Sequence, residues 1–182
     1  TSGRISSTSA EAVAADLGPR IRLVVDDGAT SVGLESTILK VEDGKVRLLR
    51  PGGITAAEIE AAIGVKPERG AKGIEAPGMM ASHYAPAAGM RLAVEEVCAV
   101  EALLAFGPER VKGADRAATT LNLSPSGDLR EAATNLFSFM RELDRSGAAT
   151  IAVEPIPMEG LGEAINDRLA RAAAPRGSES GE

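Results

Sequence analysis

The sequence is short of the residues that most often staple a fold or carry chemistry. Its 182 residues hold one cysteine, one histidine, one tyrosine, three phenylalanines and no tryptophan. A single cysteine, Cys98, makes no internal disulfide and suits a reducing compartment. It lies in the apolar stretch 92–106 with no nearby histidine to activate it, so it reads as a buried structural thiol rather than a nucleophile. A lone histidine without Cys, His or Asp partners at ligand spacing makes no zinc site. No apolar run reaches the roughly 18 residues of a membrane-spanning helix, and no signal peptide is visible; a cytoplasmic location is expected. Positive charge is also short: 20 Lys and Arg against 26 Asp and Glu leave a net charge of −6. That excludes a chain whose whole surface binds nucleic acid by releasing phosphate counterions. What is abundant is aliphatic: 44% of residues are apolar while only 2% are aromatic, so any core is built from Ala, Val, Leu and Ile.

The pattern is one of alternating strands and helices. Residues 9–17 read as a helix capped by Thr8 or Ser9, with Glu11 favouring its N-terminal dipole and Gly18-Pro19 ending it. The β-branched run 21–25 reads as a buried strand, followed by a turn at Asp26-Asp27-Gly28. Residues 35–41 and 46–49 read as two strands of a hairpin turning at 42–45. Thr55 and Glu58 form a capping box for a helix to Ile63. Residues 65–89 carry Pro67, Gly70, Gly73, Pro77, Gly78, Pro86 and Gly89 without periodicity, as a linker or long functional loop does. Yet this stretch holds Met79, Met80, His83 and Tyr84, which a solvated spacer does not need. Strands are then expected at 90–94, 102–106, 119–123 and 149–155. Helices are expected at 128–144, where Leu136, Phe137, Met140 and Leu143 recur at helical spacing, and at 161–174. This predicts a parallel or mixed α/β layer, with a disordered tail at 175–182.

Three stretches carry candidate chemistry. Ser2-Gly3-Arg4-Ile5-Ser6-Ser7-Thr8 places hydroxyls before a helix N-terminus, a setting for phosphate or simply for a cap. Ser36 and Thr37 open an otherwise apolar strand where their hydroxyls suit a small polar ligand. Arg50 ends the partner strand beside Pro51-Gly52; it fits a phosphate or carboxylate fork, or equally a surface pairing with Glu35. The third, residues 76–86, contains the chain's only histidine and only tyrosine between two prolines, in a loop of the kind that folds over ligands. Gly160-Leu161-Gly162 reads as a helix start rather than half of a dinucleotide fingerprint. Asn166-Asp167-Arg168 is either a solvated face or an Asp–Arg anchor.

Taken in order, these stretches resemble the YrdC-type L-threonylcarbamoyl-AMP synthases in their longer two-domain form. The resemblance rests on Ser2-Gly3 through Thr8, Asp26-Asp27-Gly28, Glu35-Ser36-Thr37-Ile38, Arg50-Pro51-Gly52, Pro77-Gly78-Met79 and Ser82-His83-Tyr84 with Pro86. In the second half it rests on Asn122-Leu123-Ser124, Asn135-Leu136-Phe137, Leu143-Asp144 and the run from Gly160 to Leu169. Ser7 stands where the pattern has Pro, and Asp27 where it has Gly. The resemblance implies the C-terminal part of a YrdC-like α/β twisted-sheet domain over 1–64, a linker over 65–89 and a small Rossmann-like α/β domain over 90–174.

For function, the resemblance implies synthesis of threonylcarbamoyl-AMP and pyrophosphate from L-threonine, bicarbonate and ATP with Mg²⁺, for threonylcarbamoyladenosine modification of tRNA. Downstream tRNA threonylcarbamoyltransferase proteins are the implied partners, and no metal site in the protein itself is expected. Thr8, Arg50 and Tyr84 resemble ATP-contacting residues and Ser36 a threonine-contacting one; Thr37 and His83 stand in second rank. The family pattern also has a Ser-x-Asn pair just ahead of Thr1 and a Lys-x-Arg element further upstream. Neither is in this sequence, so a fragment inactive on its own is expected, its second unit the better folded. A nucleotide-gated binding module without catalysis is the alternative. A carbamoyltransferase-type maturation factor needs zinc-finger cysteines that are not here, and weak double-stranded RNA binding sits poorly with a charge of −6.

Overall fold

The computed structural model describes residues 3–70, 75–78 and 82–175. Ser2, Met79, Met80 and residues 176–182 of the expected tail lie outside the described residues. The chain opens with α1 (Ala10–Leu17), capped by Ser9, whose hydroxyl accepts the Ala12 N–H. Residues 21–25 do not form the expected strand: Leu23 and Val25 are 78% and 87% exposed. An apolar β-branched run becomes a strand only where a neighbour takes up its backbone N–H and C=O groups. Among the described residues none does.

Strands β1 (Ile38–Glu42) and β2 (Lys45–Arg50) pair antiparallel across a two-residue Asp43-Gly44 turn, and β3 (Glu68–Arg69) joins β2 in parallel. β1 starts later than the pattern predicts because the backbone before it is used elsewhere. The Glu35 carbonyl accepts the Gly53 N–H, and the Ser36 carbonyl accepts an Arg50 donor. Helix α2 (Ala56–Ile63) shows both halves of the Thr55–Glu58 capping box.

The second sheet has strands β4 (Gly89–Arg91), β5 (Ala102–Ala105), β6 (Thr119–Asn122) and β7 (Thr150–Val153). All are parallel, in the order β4-β7-β5-β6. Helices α3 (Leu129–Arg145) and α4 (Leu161–Ala173) cover one face. Ala102, Leu104, Ile151 and Val153 meet Leu136, Met140, Ile165 and Leu169 there. Leu103, Ala105 and Ala152 point to the other face, under Val94 and Val97. This period-two division is what a sheet buried on both sides requires. At roughly 1.5–3 kcal/mol for each fully buried aliphatic side chain, this layer dominates the stability. In β1–β3, Leu48 is the one buried apolar side chain. Cys98 is exposed, not buried as its apolar neighbourhood predicts; Val94 and Val97 take the inward positions of that loop.

Candidate functional site

Arg50 is the organising residue. Its position at the end of β2 carries it inward, and it is only 6% exposed. One terminal nitrogen donates to the Ser36 carbonyl at 2.8 Å and the other to the Pro77 carbonyl at 3.0 Å. It does not pair with Glu35, the surface alternative read from spacing. Gly78, at φ 76°, passes so close that a Cβ there would lie 2.5 Å from the Tyr84 hydroxyl and 2.9 Å from Arg50 Nη1. The 75–78 segment, Arg50 and Tyr84 are therefore in direct contact.

Tyr84 is 1% exposed and holds a left-handed φ of 62°, a conformation bulky residues rarely adopt. Its ring packs on His83 at 4.0 Å and Phe137 at 5.4 Å between centroids, with the Arg168 guanidinium 5.4 Å away. Arg168 comes from α4 and is fully buried. Its Nε donates to Glu35 at 2.8 Å and its Nη1 to Asp167 at 2.6 Å, so the Asn166–Arg168 cluster is an anchor and not a solvated face. Glu35 also accepts the Ser6 hydroxyl at 2.6 Å. Burial pushes the Glu35 carboxyl up, but the bonds from Ser6 and Arg168 and the Arg168 charge outweigh it and hold the group below its ordinary value. Burial lowers His83, against the pull of Glu35, with Arg171, Arg168 and Arg50 adding to it. The imidazole is thus neutral at pH 7. Burial and the Glu35 charge raise Tyr84, against Arg168 and Arg50.

Arg50 Nε, His83 Nδ1 and Arg168 Nη2 are buried without a hydrogen-bond partner among the described residues. Unmet buried polar groups are costly. Arg50 and Arg168 bring two positive charges beside a neutral imidazole, and their combined field favours an anion nearby.

The remaining candidates are placed differently. Thr8 lines a neighbouring cavity of about 380 Å³ together with Ser6, Gly33, Leu34, Glu35 and Phe137. Glu35 is therefore the link between Thr8 and the Arg50 cluster. Ser36 is exposed, and its carbonyl holds Arg50. The Thr37 hydroxyl is spent on Ile54, donating to its carbonyl at 2.5 Å and accepting its N–H at 3.1 Å, a clasp at the base of α2. Glu35 and Arg168 escaped the site reading. A signal for Arg168 existed: position 168 falls on the α4 stripe of Ala164, Ile165, Leu169 and Ala172, where an arginine needs a buried partner. Among the described residues no group of three or more His, Cys, Asp or Glu could hold a metal ion, and no helix is long and apolar enough to cross a membrane.

Comparison with known proteins bears directly on this cluster. Residues 54–174 match the family described as threonylcarbamoyl-AMP synthase, C-terminal domain, and residues 1–52 match the Sua5/YciO/YrdC family described as telomere recombination. The chain is 36% identical over 194 residues to the threonylcarbamoyl-AMP synthase of Pyrococcus abyssi, covering 96% of this chain and 56% of that one. It is 35% identical over 193 residues to that of Bacillus subtilis, covering 96% and 55%. It thus spans about half the length of the curated relatives it matches. The crystal structure of P. abyssi Sua5 complexed with L-threonine superposes at a TM-score of 0.81 with 31% identity, covering 94% of this chain and 55% of that chain. A P. abyssi Sua5 variant with a consecutive His and Tyr replaced by Ala superposes at 0.76 with 27% identity, covering 94% and 54%.

Proposed function

The chain belongs to the threonylcarbamoyl-AMP synthase C-terminal-domain family, and from that premise we propose that its 182 residues supply binding surface for an enzyme that joins L-threonine, bicarbonate and ATP. In this reading the threonine amine bonds to the bicarbonate carbon and water leaves, giving a carbamate. A carbamate oxygen attacks the α-phosphorus of ATP, the bond to the β-phosphate oxygen breaks, and pyrophosphate leaves. The product, threonylcarbamoyl-AMP, serves threonylcarbamoyladenosine modification of tRNA. Little covalent chemistry falls to the protein; it holds the reactants in line and stabilises charge at phosphorus.

The observation that carries the proposal is Arg50 itself, buried against the 75–78 segment and Tyr84 with its guanidinium held by two carbonyls rather than by a carboxylate. We assign Arg50, Thr8 and Tyr84 to ATP, Ser36 to threonine, and supporting places to His83 and Thr37. A relative solved with L-threonine supports threonine as the small polar ligand. Mg²⁺ fits as an ion brought on the ATP phosphates, since such sites take one or two carboxylates and complete their shell with phosphate and water.

The test is ATP binding by the chain and by Arg50→Ala. A loss of about tenfold or more is expected, the scale of one charge-assisted contact; equal affinity would remove Arg50 from the phosphate site. Pyrophosphate release, with threonine and bicarbonate present and then omitted, separates the readings further. ATP binding that never leads to threonine-dependent release, even in a complete synthase built around this chain, would favour a nucleotide-gated binding module.

A further inference from the structure

Lys40 on β1 and Arg47 on β2 are directly cross-strand partners. Two cations facing each other across an antiparallel pair repel and weaken the sheet, so their juxtaposition needs an anion. Glu75 supplies it. Its Oε2 is 3.0 Å from Lys40 Nζ and 3.2 Å from Arg47 Nη2, and its Oε1 lies 3.4 Å from Arg47 Nη1. Glu42, from the end of β1, is more distant from both, at 3.2 and 3.6 Å. The clasp is partly exposed: the Arg47 and Glu75 side chains are 14% and 21% exposed and that of Lys40 is 36%. Two residues beyond Glu75, the Pro77 carbonyl accepts Arg50, and Gly78 touches Tyr84.

We propose that Glu75 is a positioning residue: clasped by Lys40 and Arg47, it sets the 75–78 segment so that Pro77 orients Arg50 and Gly78 seats against Tyr84. The like-charged pair on the hairpin is thus the receptor for this carboxylate. The proposal rests on the ATP-facing role assigned to Arg50, and its test separates the two.

Tyr84 is the chain's only tyrosine and there is no tryptophan, so emission excited near about 280 nm, where phenylalanine does not absorb, reports on the residue that Gly78 touches. Acrylamide quenching of that emission is measured without ligand on the chain, Glu75→Gln, Glu75→Asp and Lys40→Gln/Arg47→Gln. Quenching is expected to rise about two- to threefold in Glu75→Gln and in the double variant, and less in Glu75→Asp. Raising salt from about 50 mM to about 0.5 M should reproduce much of the rise in the unaltered chain but add little in Glu75→Gln, because exposed pairs are screened. ATP affinity in Glu75→Gln is expected to fall about fivefold, the scale of losing two or three partly exposed pairs. Unchanged quenching in Glu75→Gln overturns the clasp. Raised quenching with unchanged ATP affinity overturns the positioning role. If the unaltered chain does not bind ATP, the Arg50 reading fails instead, and quenching alone decides the clasp.

Discussion

The Arg168–Glu35 contact makes the sharpest energetic prediction. Arg168→Met keeps the unbranched apolar stem of the side chain and removes the guanidinium with its charge. Asp167 loses one partner but keeps Arg171 at 2.9 Å. Glu35 has no such reserve: with Arg168 gone, the Ser6 hydroxyl is its one remaining side-chain partner. Breaking a fully buried pair by removing one member costs about 3–5 kcal/mol; with the Glu35 side chain 25% exposed the expected loss is about 2–3 kcal/mol, or roughly 4–12 °C in Tm for a chain of this size. Replacing both members, as Glu35→Gln with Arg168→Met, should return stability to within about 1 kcal/mol of the starting protein, since a neutral pair strands no charge. The pH dependence has a definite sign. In the unaltered chain the folded Glu35 sits below its ordinary value of about 4.3, so its contribution is full above that value and is lost as pH falls through the folded pKa. In Arg168→Met the burial that raises Glu35 is opposed by the Ser6 hydroxyl and a backbone hydrogen bond but no longer by a cation, so its folded value rises and the penalty shrinks as pH falls toward 4. Urea unfolding at pH 7 and pH 4.5 measures both effects. A loss below about 1 kcal/mol at pH 7, or a gap that widens on acidification, refutes the argument.

Gly33 has a φ of 72°, and a Cβ there would overlap the backbone of Ala133 and Thr134 on α3; Gly33→Ala should cost about 1–3 kcal/mol, read as a lower urea midpoint with no change in slope. Cys98 is exposed, so one equivalent of Ellman's reagent should react with the folded chain without denaturant; a thiol that reacts only on unfolding contradicts its placement. Asp16 is held at about 2, chiefly by its hydrogen bond from Arg141. Its contribution is therefore present above its unfolded value and lost as pH falls through about 2. Asp16→Asn should cost about 1 kcal/mol at pH 7, discounted for the solvent that reaches the pair, and nothing near pH 2.

Legibility in the sequence followed the range of the interactions involved. The Thr55–Glu58 box, the Asp43-Gly44 turn and the α3 stripe are set by residues within a few positions of one another, and each stands in the fold at its expected place. Residues 21–25 misled because apolar, β-branched composition states a preference for burial but not whether a partner strand is there to take its hydrogen bonds. Cys98 misled for the same reason: mean apolarity of a stretch does not say which of its side chains turns inward. Arg50 was legible as a functional candidate, but its partners were not, since the carbonyls of Ser36 and Pro77 leave no mark in sequence. Glu35 with Arg168 spans 133 positions, and only an arginine on an apolar helical stripe hinted that an acid would be found for it.

The energetics of the two sheets explain why the loops around Thr8 and Arg50 lean on α3 and α4. β1–β3 bury a single aliphatic side chain, Leu48, and such a sheet has little to spend on ordering the loops around it. The second layer is closely packed on both faces, and it reaches across. Arg141 of α3 donates to the Ile5 carbonyl at 3.0 Å and to both Asp16 oxygens at 2.9 Å. Thr134 donates to the Ser31 carbonyl, and Arg168 of α4 holds Glu35. Every one of these contacts falls on the hydroxyl-rich segment before α1, on α1 itself, or on the 31–35 segment before β1. The order of the Thr8 cavity and of the Ser36 carbonyl beneath Arg50 is therefore supplied largely by helices far away in sequence. A perturbation that loosens α3 or α4 should reach the loops around Thr8 and Ser36 before it unfolds the β1–β2 hairpin, whose turn and cross-strand pairs are local.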